Sequence, residues 1–215
     1  MELTTSEGER FENYIVGPEQ TSRAILIIHD WWGMLDYHKE WADKFAEVGY
    51  RAMVVDLFNG HHPTDTKQAG EYMRSIDQQI NNRKLYTALT TLQAANRKIA
   101  VLGWSFGGVQ VQYTALQNPD MVDALVIFYC RIILDKRNVE TLTCPMLAIF
   151  SETERTWPDK QVFLEHVMSE ANKVLQCHSY DADHGFVNPD SPRHDNDAAE
   201  EARLATVAFL DKLFA

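Results

Sequence analysis

Residues 98–110 read KIAVLGWSFGGVQ, an apolar run that stops at a serine enclosed by glycines. The block from Lys98 to Gly103 is typical of a β-strand buried on both faces, and Val109 to Gln117 predicts the helix that follows it. In a parallel sheet the chemistry gathers at the carboxyl ends of the strands. The stretch therefore predicts an α/β fold with a functional site at this turn.

Ser105 lies at the centre of a G-x-S-x-G pattern, the nucleophile elbow that turns sharply from a strand into a helix. Gly103 and Gly107 fill its glycine positions, where a Cβ atom would strike the neighbouring strand or helix. The helix N-terminus presents backbone N–H groups to a developing oxyanion, and the N–H of Phe106 is the first candidate donor. The alternative interpretation is a glycine turn that carries an inert serine.

The rest of the chain alternates apolar strands with helical periodicity. Strands are predicted at Ala24–Ile28, Arg51–Phe58, Ala124–Tyr129, Met146–Phe150 and Leu175–Tyr180, with an edge strand at Arg10–Val16; helices are predicted at Tyr37–Val48, Lys160–Asn172 and Ala198–Phe214, with one or two more within Asp65–Ala95. This alternation implies a mostly parallel central sheet covered by helices on both faces. No linker or repeat divides residues 1–215, so we expect a single domain.

Composition narrows the classes of function. The 215 residues carry a formal net charge of −11 without a basic stripe, so nucleic acid is not expected as a partner. The N-terminal MELTTSEGER lacks a signal-peptide pattern, no apolar run is long enough to span a membrane, and three cysteines without a framework spacing suggest reduced thiols. We expect a cytoplasmic protein, monomeric or homodimeric, without a membrane partner. With no phosphate-binding glycine loop and no second ligand pair beside His61-His62, no cofactor and no metal are expected.

A serine hydroxyl needs a base to take its proton, and His184 is the candidate. It lies in DADHGF (181–186), after the last predicted strand and before the last helix, where the chain order of this fold places the histidine. His178 is expected within the preceding strand, and His194 in a solvent-exposed polar run. That run leads into the last helix, which Asp195 or Asp197 is expected to cap.

The acid that orients the histidine follows the strand at 146–150. Three carboxylates lie there, at Glu152, Glu154 and Asp159. Surface loops commonly contain acidic residues, and spacing alone does not choose among the three.

Four stretches together resemble the dienelactone hydrolase family of the α/β hydrolases: IIHDWWGM (27–34), GWSFGG (103–108), the segment Glu154–Pro158 and DHGF (183–186). Their order and spacing extend over nearly the whole chain. The resemblance implies an α/β-hydrolase fold without a large lid, and hydrolysis of small esters or lactones. It places the acid four residues before a proline, which selects Glu154, and it makes the N–H of Trp31 the second oxyanion donor.

The sequence departs from the family pattern in three respects. The family nucleophile is usually a cysteine, partnered by the carboxylate that Asp30 matches; beside a serine, Asp30 is expected to be positional or to hold a turn. The arginines that hold the substrate carboxylate in the family fall near Asn59 or Gly60 and at Asn188, and none of these residues is basic. Dienelactone itself is therefore not the expected substrate, because a buried carboxylate without a cation is costly.

The third departure is Cys130-Arg131, which replaces the usual small residue after the sixth strand. Arg131 could supply a compensating cation, although an exposed arginine is the more common state. Trp31 and Trp32 are pocket wall or core, with the wall favoured for one of them. Asp30, Trp32, Trp104 and Arg131 are the residues expected to contact substrate or to support the residues that do.

The sequence thus predicts a serine hydrolase for a small ester, lactone or thioester. Ser105 attacks the carbonyl, His184 takes its proton, and Glu154 orients the imidazole. The alternatives are a catalytically silent α/β-hydrolase fold that binds a small molecule or a protein, and a thioesterase, peptidase or acyltransferase that uses the same three residues.

Overall fold

The protein is described by a computed structural model that covers residues 1–94 and 97–215. Its strands are β1 (Glu2–Thr4), β2 (Arg10–Val16), β3 (Arg23–Ile28), β4 (Arg51–Val55), β5 (Lys98–Trp104), β6 (Ala124–Phe128), β7 (Met146–Ser151) and β8 (Leu175–Tyr180). Its helices are α1 (Asp36–Glu47), α2 (Thr66–Ser75), α3 (Gln78–Gln93), α4 (Phe106–Gln117), α5 (Asp159–Glu170) and α6 (Asn196–Phe214).

The strands form one sheet in the order β1-β2-β4-β3-β5-β6-β7-β8. The pairs β1–β2 and β2–β4 are antiparallel, and the pairs from β4 to β8 are parallel. The described connections carry no large lid. The mostly parallel sheet predicted from the alternating pattern is therefore confirmed.

The central strands are apolar throughout because both of their faces are covered. In β3, Leu26 and Ile28 pack on the side of α3, α4 and α5, whereas Ile25 and Ile27 pack on the side of α1 and α6. All four side chains are fully buried. A strand buried on both faces loses the alternating pattern of a half-exposed strand, which is why AILII reads as a continuous apolar block.

Two predictions at the sheet margins are wrong. The strand Arg10–Val16 is not at the edge, because the short strand β1 pairs with its outer side. The sequence of β1, Glu-Leu-Thr, is too short and too polar to produce a pattern. The strand predicted to reach Phe58 ends at Val55, because Asp56 Oδ1 accepts a hydrogen bond from the N–H of Phe58 (2.8 Å) and bends the chain.

The segment predicted at Asp65–Ala95 is two helices. Asp65 caps α2 by accepting a hydrogen bond from the N–H of Gln68 (2.8 Å), and Asp77 caps α3 by accepting one from the N–H of Gln79 (2.8 Å). A side-chain cap satisfies backbone N–H groups that have no partner within the helix, so the second aspartate marks a new start. The predicted end of the segment, at Ala95, lies outside the described residues.

The parallel register brings the carboxyl ends of six strands, β3 to β8, to one edge of the sheet. Ile28 pairs with Gly103, Trp104 with Phe128, and Ser151 with Tyr180. The loops that follow β3, β5, β6, β7 and β8 therefore lie side by side. Among the described residues, none of the helices has the length and apolar character needed to cross a bilayer.

Candidate active site

Ser105 stands at the turn between β5 and α4 with φ +51° and ψ −110°. A positive φ is unfavourable for a residue with a Cβ atom, and such strain persists only where the surroundings impose it. The N–H of Ser105 donates to Phe128 O at 3.0 Å, which ties the turn to β6. A Cβ added at Gly103 would lie 2.5 Å from the backbone carbon of Gly107, so the two glycines allow the strand and helix to meet. The turn has the geometry of the predicted elbow, and α4 begins at Phe106, three residues earlier than its sequence pattern suggests.

His184 reaches the serine from the loop after β8. Its Nε2 lies 2.9 Å from Ser105 Oγ. The other two nearby histidines point elsewhere. His178 is in β8, as predicted, whereas His194 is half-buried with Nδ1 2.8 Å from Phe186 O, which corrects its predicted exposure.

Glu154 contacts the opposite side of the imidazole. Its Oε1 is hydrogen-bonded to His184 Nδ1, and its Oε2 accepts a hydrogen bond from Lys160 Nζ. Burial by itself would raise the pKa of Glu154, but the hydrogen bonds from His184 and Lys160 outweigh it, so the pKa lies below its ordinary value. The carboxylate is therefore ionised at neutral pH and suited to orient the ring.

The other two candidate acids are engaged elsewhere. Glu152 accepts a hydrogen bond from the hydroxyl of Ser179 at 2.5 Å. Asp159 is the first residue of α5 and lies near the N-terminal end of the helix dipole. Of the three carboxylates that spacing left open, the structure brings only Glu154 into hydrogen-bonding contact with His184.

Phe106 and Trp31, the two predicted oxyanion donors, each line a cavity that Ser105 also lines. Phe106 opens α4, and Trp31 lies in the loop after β3. Within residues 1–94 and 97–215, neither N–H donates to a protein acceptor. Both amides are thus free to hold an oxygen that carries negative charge.

Asp30 is buried and holds this loop. Its Oδ1 accepts from the N–H of Trp32 and its Oδ2 from the hydroxyl of Tyr37, both at 2.8 Å. Burial raises the pKa of Asp30 to about 6, although the hydrogen bonds from Trp32 and Tyr37 act in the opposite direction. Its contacts match the turn-holding role considered for it in the sequence.

Two cavities open beside the serine. The larger has a volume of about 650 Å³ and the smaller about 300 Å³, and both are lined by Ser105, Tyr129 and His184. Arg131 lies on the wall of the larger cavity, and Trp31 and Trp32 both lie on the wall of the smaller one. Ser105 and His184 therefore lie where the two cavities meet.

Trp104 is the predicted site residue that the structure places away from the cavities. Its side chain is 0 % exposed and packs edge-on against Trp41, with ring centroids 5.0 Å apart. It lies in the apolar core beneath the elbow and does not line either cavity. The expectation that Trp104 contacts a substrate is therefore wrong, and its side chain instead supports the turn from below.

Sequence reasoning missed Tyr129 and Lys160. Tyr129 is buried just beyond β6, and its ring centroid lies 4.9 Å from that of His184. Its place at the carboxyl edge of the sheet was the available signal. Lys160 belongs to the first turn of α5, and a lysine near the start of a helix gives no sequence signal for contact with an acid six residues earlier.

Cys130 and the pair His61-His62 are further side chains with reactive or metal-binding chemistry. Burial raises the pKa of the Cys130 thiol to about 12, so a thiolate is strongly disfavoured there. His61 and His62 are exposed. No cluster of three or more histidine, cysteine or acidic side chains suited to a metal ion occurs in the described part of the chain.

Comparison with known proteins gives consistent matches along the chain. The model of the dienelactone hydrolase family matches residues 11–214. Protein usf of Aquifex pyrophilus is 27 % identical over 221 residues, which covers 94 % of this chain and 94 % of its own. A carboxymethylenebutenolidase homolog of Mus musculus is 29 % identical over 223 residues, which covers 95 % of this chain and 88 % of its own.

Among solved structures, a dienelactone hydrolase-like promiscuous phosphotriesterase from metagenomic libraries has a similar fold. The two structures superpose with a TM-score of 0.86 at 17 % identity, and the match covers 100 % of this chain and 98 % of the other. At this identity the likeness concerns the fold.

Proposed function

This chain belongs to the dienelactone hydrolase family, and we propose that it is a serine hydrolase that cleaves a small carboxylic ester or lactone. The observation that carries the proposal is the continuous hydrogen-bonded line from Ser105 Oγ through the imidazole of His184 to Glu154. A nucleophile, a base and an orienting group in this order are what covalent acyl transfer requires.

In the first half of the reaction, His184 Nε2 takes the proton of Ser105 as Oγ attacks the carbonyl carbon. The carbonyl oxygen becomes negatively charged, and the N–H groups of Phe106 and Trp31 stabilise it. His184 then gives the proton to the leaving alcohol oxygen, and the carbon–oxygen bond of the ester breaks. In the second half, water attacks the acyl group with His184 again as base, and Ser105 is regenerated.

Glu154 and Asp30 have different parts in this scheme. Glu154 accepts a hydrogen bond from the Nδ1–H of His184, which leaves Nε2 free to accept the serine proton, and its charge stabilises the imidazolium. Asp30 fixes the turn that presents the N–H of Trp31, through its hydrogen bonds to Trp32 and Tyr37. It has no hydrogen bond to Ser105 in the described residues, which supports a structural part for it beside a serine nucleophile.

We further propose that residues 1–215 act as one domain, because every strand in the described ranges belongs to one sheet. The two cavities, of about 650 and 300 Å³, are of a size for small organic molecules. This supports a small-molecule substrate with one arm in each cavity.

The first experiment asks whether Ser105 is reactive. A fluorophosphonate probe is expected to label the wild-type chain, and labelling should vanish in Ser105→Ala but persist in Ser169→Ala, a control at an exposed serine of α5. Absence of labelling in the wild type would favour a fold that binds without catalysing.

The second experiment asks for the substrate class. We expect short p-nitrophenyl esters to be hydrolysed faster than long-chain esters, thioesters or peptide substrates, and Ser105→Ala or His184→Ala to lower kcat by several orders of magnitude. If peptides or thioesters were cleaved faster than short esters, the proposed substrate class would be wrong.

A further inference from the structure

The larger cavity contains an unmatched cation. Arg131 lies on its wall with an exposed side chain, and no carboxylate of the described chain is paired with its guanidinium. The other two fixed charges on the wall, Lys160 and Glu154, are paired with each other. In a chain with a formal net charge of −11, this cavity therefore carries one more positive than negative side chain.

The backbone around Arg131 is fixed by Gln112, which is fully buried in α4. Gln112 Nε2 donates to Arg131 O at 2.9 Å, and its Oε1 accepts from the N–H of Ile133 at 2.8 Å. One buried side chain thus holds the backbone from Arg131 to Ile133. Such anchoring lowers the backbone entropy lost when the arginine binds a partner.

The remainder of the cavity wall is largely apolar. Its apolar members include Met73 of α2, Ile76 of the α2–α3 connection, and Phe106, Val109 and Tyr113 of α4. The smaller cavity differs in its number of charges, because one cationic side chain, Arg193, and one carboxylate, that of Asp30, lie on its described wall. The excess positive charge is therefore confined to the larger cavity.

We propose that the larger cavity binds a substrate arm made of an apolar chain that ends in a carboxylate, and that Arg131 binds that carboxylate. The planar guanidinium offers a pair of N–H donors that fits both carboxylate oxygens. This proposal rests on the proposed ester hydrolysis and narrows its substrate class to half-esters of dicarboxylic acids or esters of hydroxy acids. The position differs from Asn59, Gly60 and Asn188, where the family resemblance would place the cations.

The test compares matched substrates that differ only in the terminal charge. The first pair is mono-4-nitrophenyl suberate and its methyl ester, with the charge on the acyl arm; the second is 6-butyryloxyhexanoate and its methyl ester, with the charge on the alcohol arm. For one of the pairs we expect kcat/KM to favour the acid over its methyl ester by roughly tenfold to a hundredfold, the usual range for a charge-assisted hydrogen bond.

The variants assign that preference to Arg131. Arg131→Gln should reduce the ratio of acid to methyl ester to about one, and Arg131→Lys should keep part of it because the positive charge remains. Arg137→Gln, at an exposed arginine outside the cavity, should leave the ratio unchanged. Equal rates for both members of both pairs, or a ratio that persists in Arg131→Gln, would overturn the proposal.

A binding measurement separates this proposal from the proposed hydrolysis. Calorimetry on Ser105→Ala should detect tighter binding of monomethyl suberate than of dimethyl suberate, and the difference should vanish in Ser105→Ala/Arg131→Gln. If this holds while the wild-type chain hydrolyses no ester, the anion site stands and the hydrolase function fails. If wild type hydrolyses neutral esters but the two suberates bind equally, the anion site fails alone.

Discussion

Gly107→Ala tests how the elbow is built. Gly107 lies in the first turn of α4, and helix propensity alone predicts that alanine would be more stable there by about 1 kcal/mol. The structure predicts the opposite sign. An added Cβ would lie 2.5 Å from His29 O and closer still to Ile28 O. Both are backbone atoms, so no side chain can rotate to make room.

The size of the effect follows from the displacement needed. Cβ atoms essentially never come within 3.0 Å of such a neighbour, and Ile28 O lies 2.2 Å from the added Cβ, so α4 and the end of β3 must separate by at least about 0.8 Å. Overpacking of this kind costs about 1–3 kcal/mol and occasionally more. Because both close neighbours are backbone atoms, we expect a cost at the upper end of this range, about 3 kcal/mol. The helix gain of about 1 kcal/mol reduces it to a net loss of about 2 kcal/mol, equivalent to roughly 4–8 °C in Tm for a chain of this length. Ester hydrolysis should also fall, because the same shift moves the N–H of Trp31 away from that of Phe106.

The assay is urea unfolding followed by circular dichroism, with the slope of the transition checked for equality between variants. Gly70→Ala in α2 is the matched control, because its added Cβ would approach only the exposed Arg74 guanidinium, at 3.1 Å. That variant should gain about 0.5–1 kcal/mol. The reasoning is refuted if Gly107→Ala unfolds at the same or a higher urea concentration than wild type.

Three further predictions concern ionisable groups. Burial raises the pKa of Asp30 from its ordinary 3.8 to about 6. The contribution of Asp30 to the free energy of unfolding is therefore greatest below pH 4, and it falls by about 3 kcal/mol as the pH rises past 6. Urea unfolding at pH 4 and pH 7.5 should show that the Asp30→Asn variant lacks this pH-dependent loss of stability. Lys160→Met removes the cation that holds Glu154 Oε2, so kcat/KM for a neutral ester should drop by about tenfold. Lys160→Arg keeps the positive charge and should retain most of the wild-type kcat/KM. Equal losses in both variants would contradict an electrostatic role of Lys160. Burial raises the pKa of all three thiols to about 12, so intact-mass analysis at pH 8 should show slow iodoacetamide labelling of the native chain and rapid labelling in urea at Cys130, Cys144 and Cys177.

The sequence was most informative where burial on both faces left a continuous apolar block. The inner strands β3, β5, β6 and β7 were located to within one residue because no polar position interrupts them. It was least informative at β1, whose three residues gain stability only from pairing with β2. The end of β4 was misplaced because Leu57 and Phe58 are buried although they lie in a turn.

In the site, the elbow could be predicted from the sequence because the backbones of the strand and the helix approach so closely that only glycine fits there. The choice of Glu154 over Glu152 came from the family resemblance, and the contact with His184 now supports it. The contact of Lys160 with Glu154 could not be predicted from a sequence pattern, because this contact depends on how α5 packs against the loop after β7. The burial of Trp104 could not be predicted from the sequence either, since a tryptophan next to the serine of such a turn fits a pocket wall as well as a core.

The meeting of two separate openings at Ser105 has a consequence for the order of events in turnover. In the proposed reaction, an ester that spans both would release its alcohol through one opening while the acyl group still filled the other. The vacated side then becomes the entrance for water, so departure of the first product and arrival of the second reactant share a route. Turnover of this kind needs no segment to swing aside between the two halves of the cycle.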